Sequence, residues 1–113
     1  MKEGIYKIET AVGGTKLAGI AVFVGGKVYG GGEAIHFTGN YQVNDGALSL
    51  HARLDIHDPA CVDKNINMLR DANVEISGKS EGSKFEMVGT ISRIVGWSSR
   101  VTVTLTELPS FAV

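Results

Sequence analysis

From Leu48 to His57 the sequence alternates without a break. Leu48, Leu50, Ala52, Leu54 and Ile56 point one way, and Ser49, His51, Arg53, Asp55 and His57 point the other. A side-chain period of two belongs to an extended strand, and a clean apolar/polar split belongs to a sheet with one face buried and one wet. An α-helix would scatter these residues around its circumference. The same period recurs elsewhere. Ala18, Ile20, Val22 and Val24 share one face; Ile35, Phe37 and Tyr41 face away from His36, Thr38 and Asn40; Val101, Val103 and Leu105 oppose Thr102, Thr104 and Thr106. Glycine supplies the punctuation between these runs. The chain has 15 Gly in 113 residues, roughly twice the usual ~7%, and they cluster at Gly13-Gly14, Gly25-Gly26 and Gly30-Gly31-Gly32.

Parity constrains how the strands pair, because a slip of one residue turns a whole apolar face to solvent. If Ile35, Phe37 and Tyr41 share a face with Leu54, Ala52 and Leu48, the hairpin closes best at Val43-Asn44-Asp45-Gly46, which sets His36 opposite Arg53 and Thr38 opposite His51. By the same argument Val74 and Ile76 face Met87 and Phe85 across Lys79-Ser80-Glu81-Gly82. A third turn, around Val95-Gly96-Trp97, joins the strand ending near Ile91 to the run beginning at Val101. The pattern is a meander.

One segment departs from it. Asp58-Pro59 offers an N-cap followed by proline at a first helical position, and Val62, Ile66 and Leu69 recur at helical spacing, so a single short helix is expected over about 59–70. About seven or eight strands would leave raw edges and a half-covered apolar face as an open sheet; closure removes both. The expected fold is all-β, a small up-and-down barrel of about seven or eight antiparallel strands with one short helix. A chain of this length has one core, so residues 1–113 are expected to form a single domain.

Charge narrows the partners. Lys+Arg number 11 and Asp+Glu 12, a formal net charge of −1, with no basic run to neutralise phosphates or meet an anionic membrane. Direct contact with nucleic acid is not expected. The one cysteine, Cys61, cannot form an internal disulfide, and no apolar run approaches the ~18 residues of a membrane-spanning helix. The expected location is the cytoplasm.

Catalytic chemistry is hard to assemble. His51 and His57 lie on one wet face but about 20 Å apart along a straight strand, too far to share a metal. Cys61 falls in the first turn of the expected helix with no motif around it, and is read as an inert thiol. Gly30-Gly31-Gly32 lacks the Lys-Ser/Thr pair and following helix of a phosphate loop, and is read as a turn or bulge bending the barrel wall. Asp55, Asp58 and Asp63 are explained by a solvated strand end and a helix cap. The chain is expected to be no enzyme, with neither cofactor nor metal.

Binding features are more promising. Trp97, Tyr41 and Tyr29, with Phe37, are candidates to line a barrel mouth, since eight strands enclose either a filled core or one small apolar ligand. The stripe of Thr102, Thr104 and Thr106, with Val88 and Thr90, forms an outward face of low charge suited to self-association.

The order of features also carries a resemblance. Gly4-Ile5-Tyr6-Lys7-Ile8 opens the chain, followed by Gly19-Ile20-Ala21-Val22, Gly26-Lys27-Val28-Tyr29-Gly30-Gly31-Gly32-Glu33, Phe37-Thr38-Gly39-Asn40-Tyr41 and Leu50-His51-Ala52. This resembles the GrlR-like family, negative regulators of type III secretion gene expression in bacteria. The resemblance implies a lipocalin-like barrel that forms a homodimer and sequesters a transcriptional activator by protein contact. In the family an exposed acidic quartet follows the segment matching Phe37–Tyr41. Here that loop is Val43-Asn44-Asp45-Gly46, so the carried-over partner site is Asp45, with Asn44 beside it. The other reading of the barrel is a carrier or sensor of a small apolar ligand.

Overall fold

A computed structural model describes residues 1–12, 14–61, 69–93 and 96–109. Eight strands run through them in chain order: β1 (Gly4–Val12), β2 (Thr15–Val24), β3 (Lys27–Gly31), β4 (Ile35–Asn44), β5 (Ala47–Ile56), β6 (Ala72–Glu81), β7 (Lys84–Ser92) and β8 (Ser98–Glu107). Each pairs antiparallel with its neighbour, and β8 returns to β1 through Tyr6–Glu107, Ile8–Leu105 and Thr10–Val103, closing the barrel. Closure leaves no free edge.

The inner face is the one that alternation predicts on β5 and β8. Leu48, Leu50, Ala52, Ile56, Val101, Val103 and Leu105 are all buried. On β2 the inner side chains are Leu17, Ala21 and Phe23, while Ile20, Val22 and Val24 of the more aliphatic face stand in solvent. Phe23 decides this orientation: its ring packs edge-on against Tyr6 and Tyr41, with centroids 5.1 Å away in both cases.

Turn chemistry corrects two registers. Asn44 pairs with Ala47, so the central turn residues are Asp45 (φ 52°) and Gly46 (φ 77°), not Asn44 and Asp45. A two-residue hairpin turn with both φ positive favours Asp-Gly. His36 therefore lies opposite Asp55, Thr38 opposite Arg53 and Asn40 opposite His51. In the β6–β7 hairpin Val74 meets Ile91, and Ile76 meets Gly89; Met87 pairs with Gly78 and Phe85 with Ser80. Glu81 pairs with Lys84, which places Gly82 (φ 65°) first in the turn, where a left-handed conformation needs glycine. Parity survives in both hairpins, because each shift is an even number of residues.

The expected helix over 59–70 opens as a short 3-10 turn, Pro59–Cys61, rather than an α-helix, and residues 62–68 of it lie outside the described residues. Asp58 does cap the turn: the Ala60 amide donates to its carboxylate at 3.1 Å. Among the described residues no helix is long and apolar enough to cross a membrane.

Several inward positions are glycines, and their role is steric. A Cβ at Gly39 would strike the His51 carbonyl oxygen and lie 2.7 Å from the Ala52 Cα; one at Gly89 would strike the Glu75 carbonyl oxygen. The backbones of adjacent strands can bend this closely only where no side chain stands between them.

Candidate functional site

The two ends of the barrel differ. The turns at Gly25-Gly26, Asp45-Gly46 and Gly82-Ser83 mark one end, and there the large inner residues gather. Tyr6 sits 6.4 Å from Phe85, centroid to centroid, and with Phe23 and Tyr41 forms an edge-to-face cluster backed by buried Val28, Leu48 and Met87. This cluster plugs the end. The Tyr6 hydroxyl donates to the Lys2 carbonyl at 2.6 Å. Burial and then the Glu107 carboxylate push its pKa above the ordinary 10.0.

Toward the other end the inner residues are smaller, and a cavity of about 460 Å³ remains. Its wall is apolar, drawn from Ala21, Phe37, Ala52, Val74, Val101 and Val103 among others, and the fully buried Leu69 brings the β5–β6 connection against it. Thr10, Lys16 and Glu33 also border it, toward the β1–β2 and β3–β4 turns.

Of the four aromatic residues singled out from sequence, Phe37 lines this cavity. Tyr41 belongs to the plug and borders a shallower depression of about 530 Å³ on the barrel wall, flanked by His51, Glu75, Val88 and Thr90. Tyr29 is on the outer face, 48% exposed. Trp97 is partly buried against the core, with its Nε1–H lacking a hydrogen-bond partner among the described residues.

Asn44 and Asp45 stand exposed at the tip of the β4–β5 hairpin, at the plugged end. The threonine stripe is outward as expected, with Val88 51% exposed, but charge flanks it: Thr104 pairs with Glu86 and Glu9, and Thr106 with Lys84 and Lys7. Thr104 Oγ1 lies 3.2 Å from the Glu86 carboxylate.

The larger apolar outer surface is elsewhere. Ile5 pairs with Val22, and Val22 with Tyr29, so one apolar row crosses β1, β2 and β3, with Ile20 and Val24 beside it. All five are at least 37% exposed. Alternation alone shows that Ile20, Val22 and Val24 share a face; the packing of Phe23 against Tyr6 and Tyr41 makes that face the outer one.

A histidine pair is also formed by the corrected register. His36 Nδ1 lies 3.2 Å from His57 Nδ1, and His57 Nε2 lies 2.9 Å from the Glu33 carbonyl oxygen. The His57 amide also donates to the Ala34 carbonyl at 2.9 Å, so this residue ties the β3–β4 turn to the end of β5. Nearby, the Ile56 amide donates to the Asp55 carboxylate and holds its pKa below the ordinary value. Arg53 forms an ion pair with Asp71, whose φ of 53° is left-handed. No group of three or more His, Cys, Asp or Glu side chains among the described residues is arranged to hold a metal ion.

A family model described as the T3SS negative regulator GrlR matches residues 1–103. No curated protein matches the chain.

Proposed function

Because the chain belongs to the GrlR family of type III secretion negative regulators, we propose that it represses by protein contact, withholding a transcriptional activator as a homodimer. The observation that carries this reading is the apolar row of Ile5, Val22 and Tyr29 on the outer wall, flanked by Ile20 and Val24. The barrel has its own core inside, so this row contributes nothing to that core, and contiguous apolar surface of this kind marks protein contact. We assign the β1–β3 face to the contact between copies. The Asn44–Asp45 tip projects at the plugged end and is assigned to the activator. A formal net charge of −1 supports an action that does not depend on binding DNA.

Light scattering on the purified chain and on Val22→Lys tests the first assignment. A dimer that becomes monomeric on substitution is the expected result; a wild-type monomer at micromolar concentration defeats it. Co-expression with a helix-turn-helix activator of type III secretion genes tests the second. The activator should co-purify and lose promoter DNA binding when the barrel protein is added. One exposed charge contributes at most about 1 kcal/mol, so Asp45→Ala should weaken capture by up to about fivefold. Failure to co-purify, or promoter binding unaffected by the protein, would remove the sequestration reading.

A further inference from the structure

The histidine pair carries an inference that does not rest on the regulatory reading. We propose that His36 and His57 form a two-nitrogen binding site for a zinc ion on the outer wall, at the barrel end opposite the aromatic plug. Ile35 pairs with Ile56 and both are buried, so the next residue of each strand end, His36 and His57, turns outward on one face, diagonal across β4 and β5. Both residues are exposed. Their Nδ1 atoms lie 3.2 Å apart, while the ring centroids stand 5.3 Å apart with planes tilted by 39°, so the rings meet nitrogen to nitrogen and do not stack. Two nitrogens held at about 2.0–2.1 Å from a tetrahedral Zn²⁺ stand about 3.3–3.4 Å from each other. A shift of about 0.1–0.2 Å would therefore admit the ion.

Hydrogen bonding fixes the tautomer on one side. His57 Nε2 lies 2.9 Å from the Glu33 carbonyl oxygen, which can only accept, so Nε2 carries the hydrogen and Nδ1 of the neutral ring keeps its lone pair. A backbone carbonyl on the far nitrogen is the usual device that orients a metal-ligating histidine. His36 Nδ1 donates its hydrogen to that lone pair or, with the hydrogen on its own Nε2, offers a second lone pair to the same point. Local charge suits a cation. Asp55, not Arg53, stands opposite His36, and Arg53 is engaged by Asp71. The Asp55 carboxylate accepts from the Ile56 amide and interacts with His36 and Arg70, so it contributes negative field and is not counted as a ligand. Two protein ligands leave the remaining positions to water, and such a site exchanges its metal more readily than a four-ligand structural zinc. Because His57 also bonds the Glu33 and Ala34 carbonyls, a bound ion would fasten the β3–β4 turn and the start of β4 to the end of β5.

The test is calorimetric titration of the full chain, without an affinity tag and stripped of metal by EDTA, with zinc chloride. The expected result is one zinc per chain and a rise in Tm that EDTA reverses. Magnesium chloride should give neither, since Mg²⁺ demands oxygen ligands while imidazole suits zinc. His36→Gln keeps a side chain able to hydrogen-bond His57 but removes the imidazole ligand; it should lower zinc affinity at least tenfold while leaving the metal-free Tm close to that of the wild type. His57→Ala should lose zinc binding to the same degree. His51→Ala, whose imidazole lies beside Glu75 on the adjoining strand, should bind zinc as the wild type does. Zinc affinity retained in His36→Gln, or lost in His51→Ala, would overturn the assignment to this pair. One zinc per two chains would overturn a site complete within one chain and place the missing ligands on a second copy. No heat and no Tm shift with zinc would overturn the proposal outright, leaving the pair as a hydrogen bond between two imidazoles.

Discussion

Tyr6 shows how one side chain couples burial to pH. Its ring is 1% exposed and its hydroxyl donates to the Lys2 carbonyl, so the folded state favours the neutral phenol. Its pKa is raised above 10.0, by burial first and by Glu107 second. The stability this contributes is whole below the unfolded tyrosine value of about 10 and is lost as pH rises through the higher folded value. Denaturant unfolding followed from pH 8 to 11.5 should therefore show a falling limb above about pH 10. Tyr6→Phe should cost about 1 kcal/mol at pH 8, the net worth of one hydrogen bond, and should flatten that limb. His36 and His57 illustrate the limits of reading residues singly. Their Nδ1 contact depends on a register that apolar matching alone misplaced by two residues, so no spacing rule would have joined them.

At the scale of strands and turns, parity was legible and register was not. Alternation in β4 and β5 identified which faces meet, because a one-residue slip exposes an entire apolar row. A two-residue slip preserves every face, so the choice falls to the turn. Asp45-Gly46 and Gly82-Ser83 decide it through positive φ at Asp45, Gly46 and Gly82. Weighting turn chemistry above apolar matching would have recovered both hairpins. Unlike the glycine clusters that punctuate the strands, Gly39, Gly78 and Gly89 lie within strands and admit close backbone approach. Gly89→Ala should destabilise the barrel by about 1–3 kcal/mol, the usual cost of forcing atoms into a packed site. Ser77→Ala, at an exposed position on the adjoining strand, should change stability by less than about 0.5 kcal/mol. Urea midpoints for the two variants would separate these outcomes, and equal midpoints would refute the steric role.

For the whole molecule, closure makes the inner face one continuous core, so a charge placed there has no escape. Leu50 is buried and borders the cavity between β4 and β6. Leu50→Asp should abolish the cooperative unfolding transition, because an unpaired buried charge costs several kcal/mol against a total margin of about 5–15. An unchanged Tm would contradict its place in the core. The all-β class, the meander order and the membership of each face follow from the sequence by itself, since a period of two and glycine-bounded turns are local properties of the chain. Which face of β2 turns inward, where the aromatic plug forms and where empty volume remains were decided only by tertiary structure. Those outcomes depend on side-chain volumes summed around a closed ring, with Phe23 meeting Tyr6 and Tyr41 at one end while mostly aliphatic residues, with Phe37, surround the cavity toward the other. No single strand contains that sum.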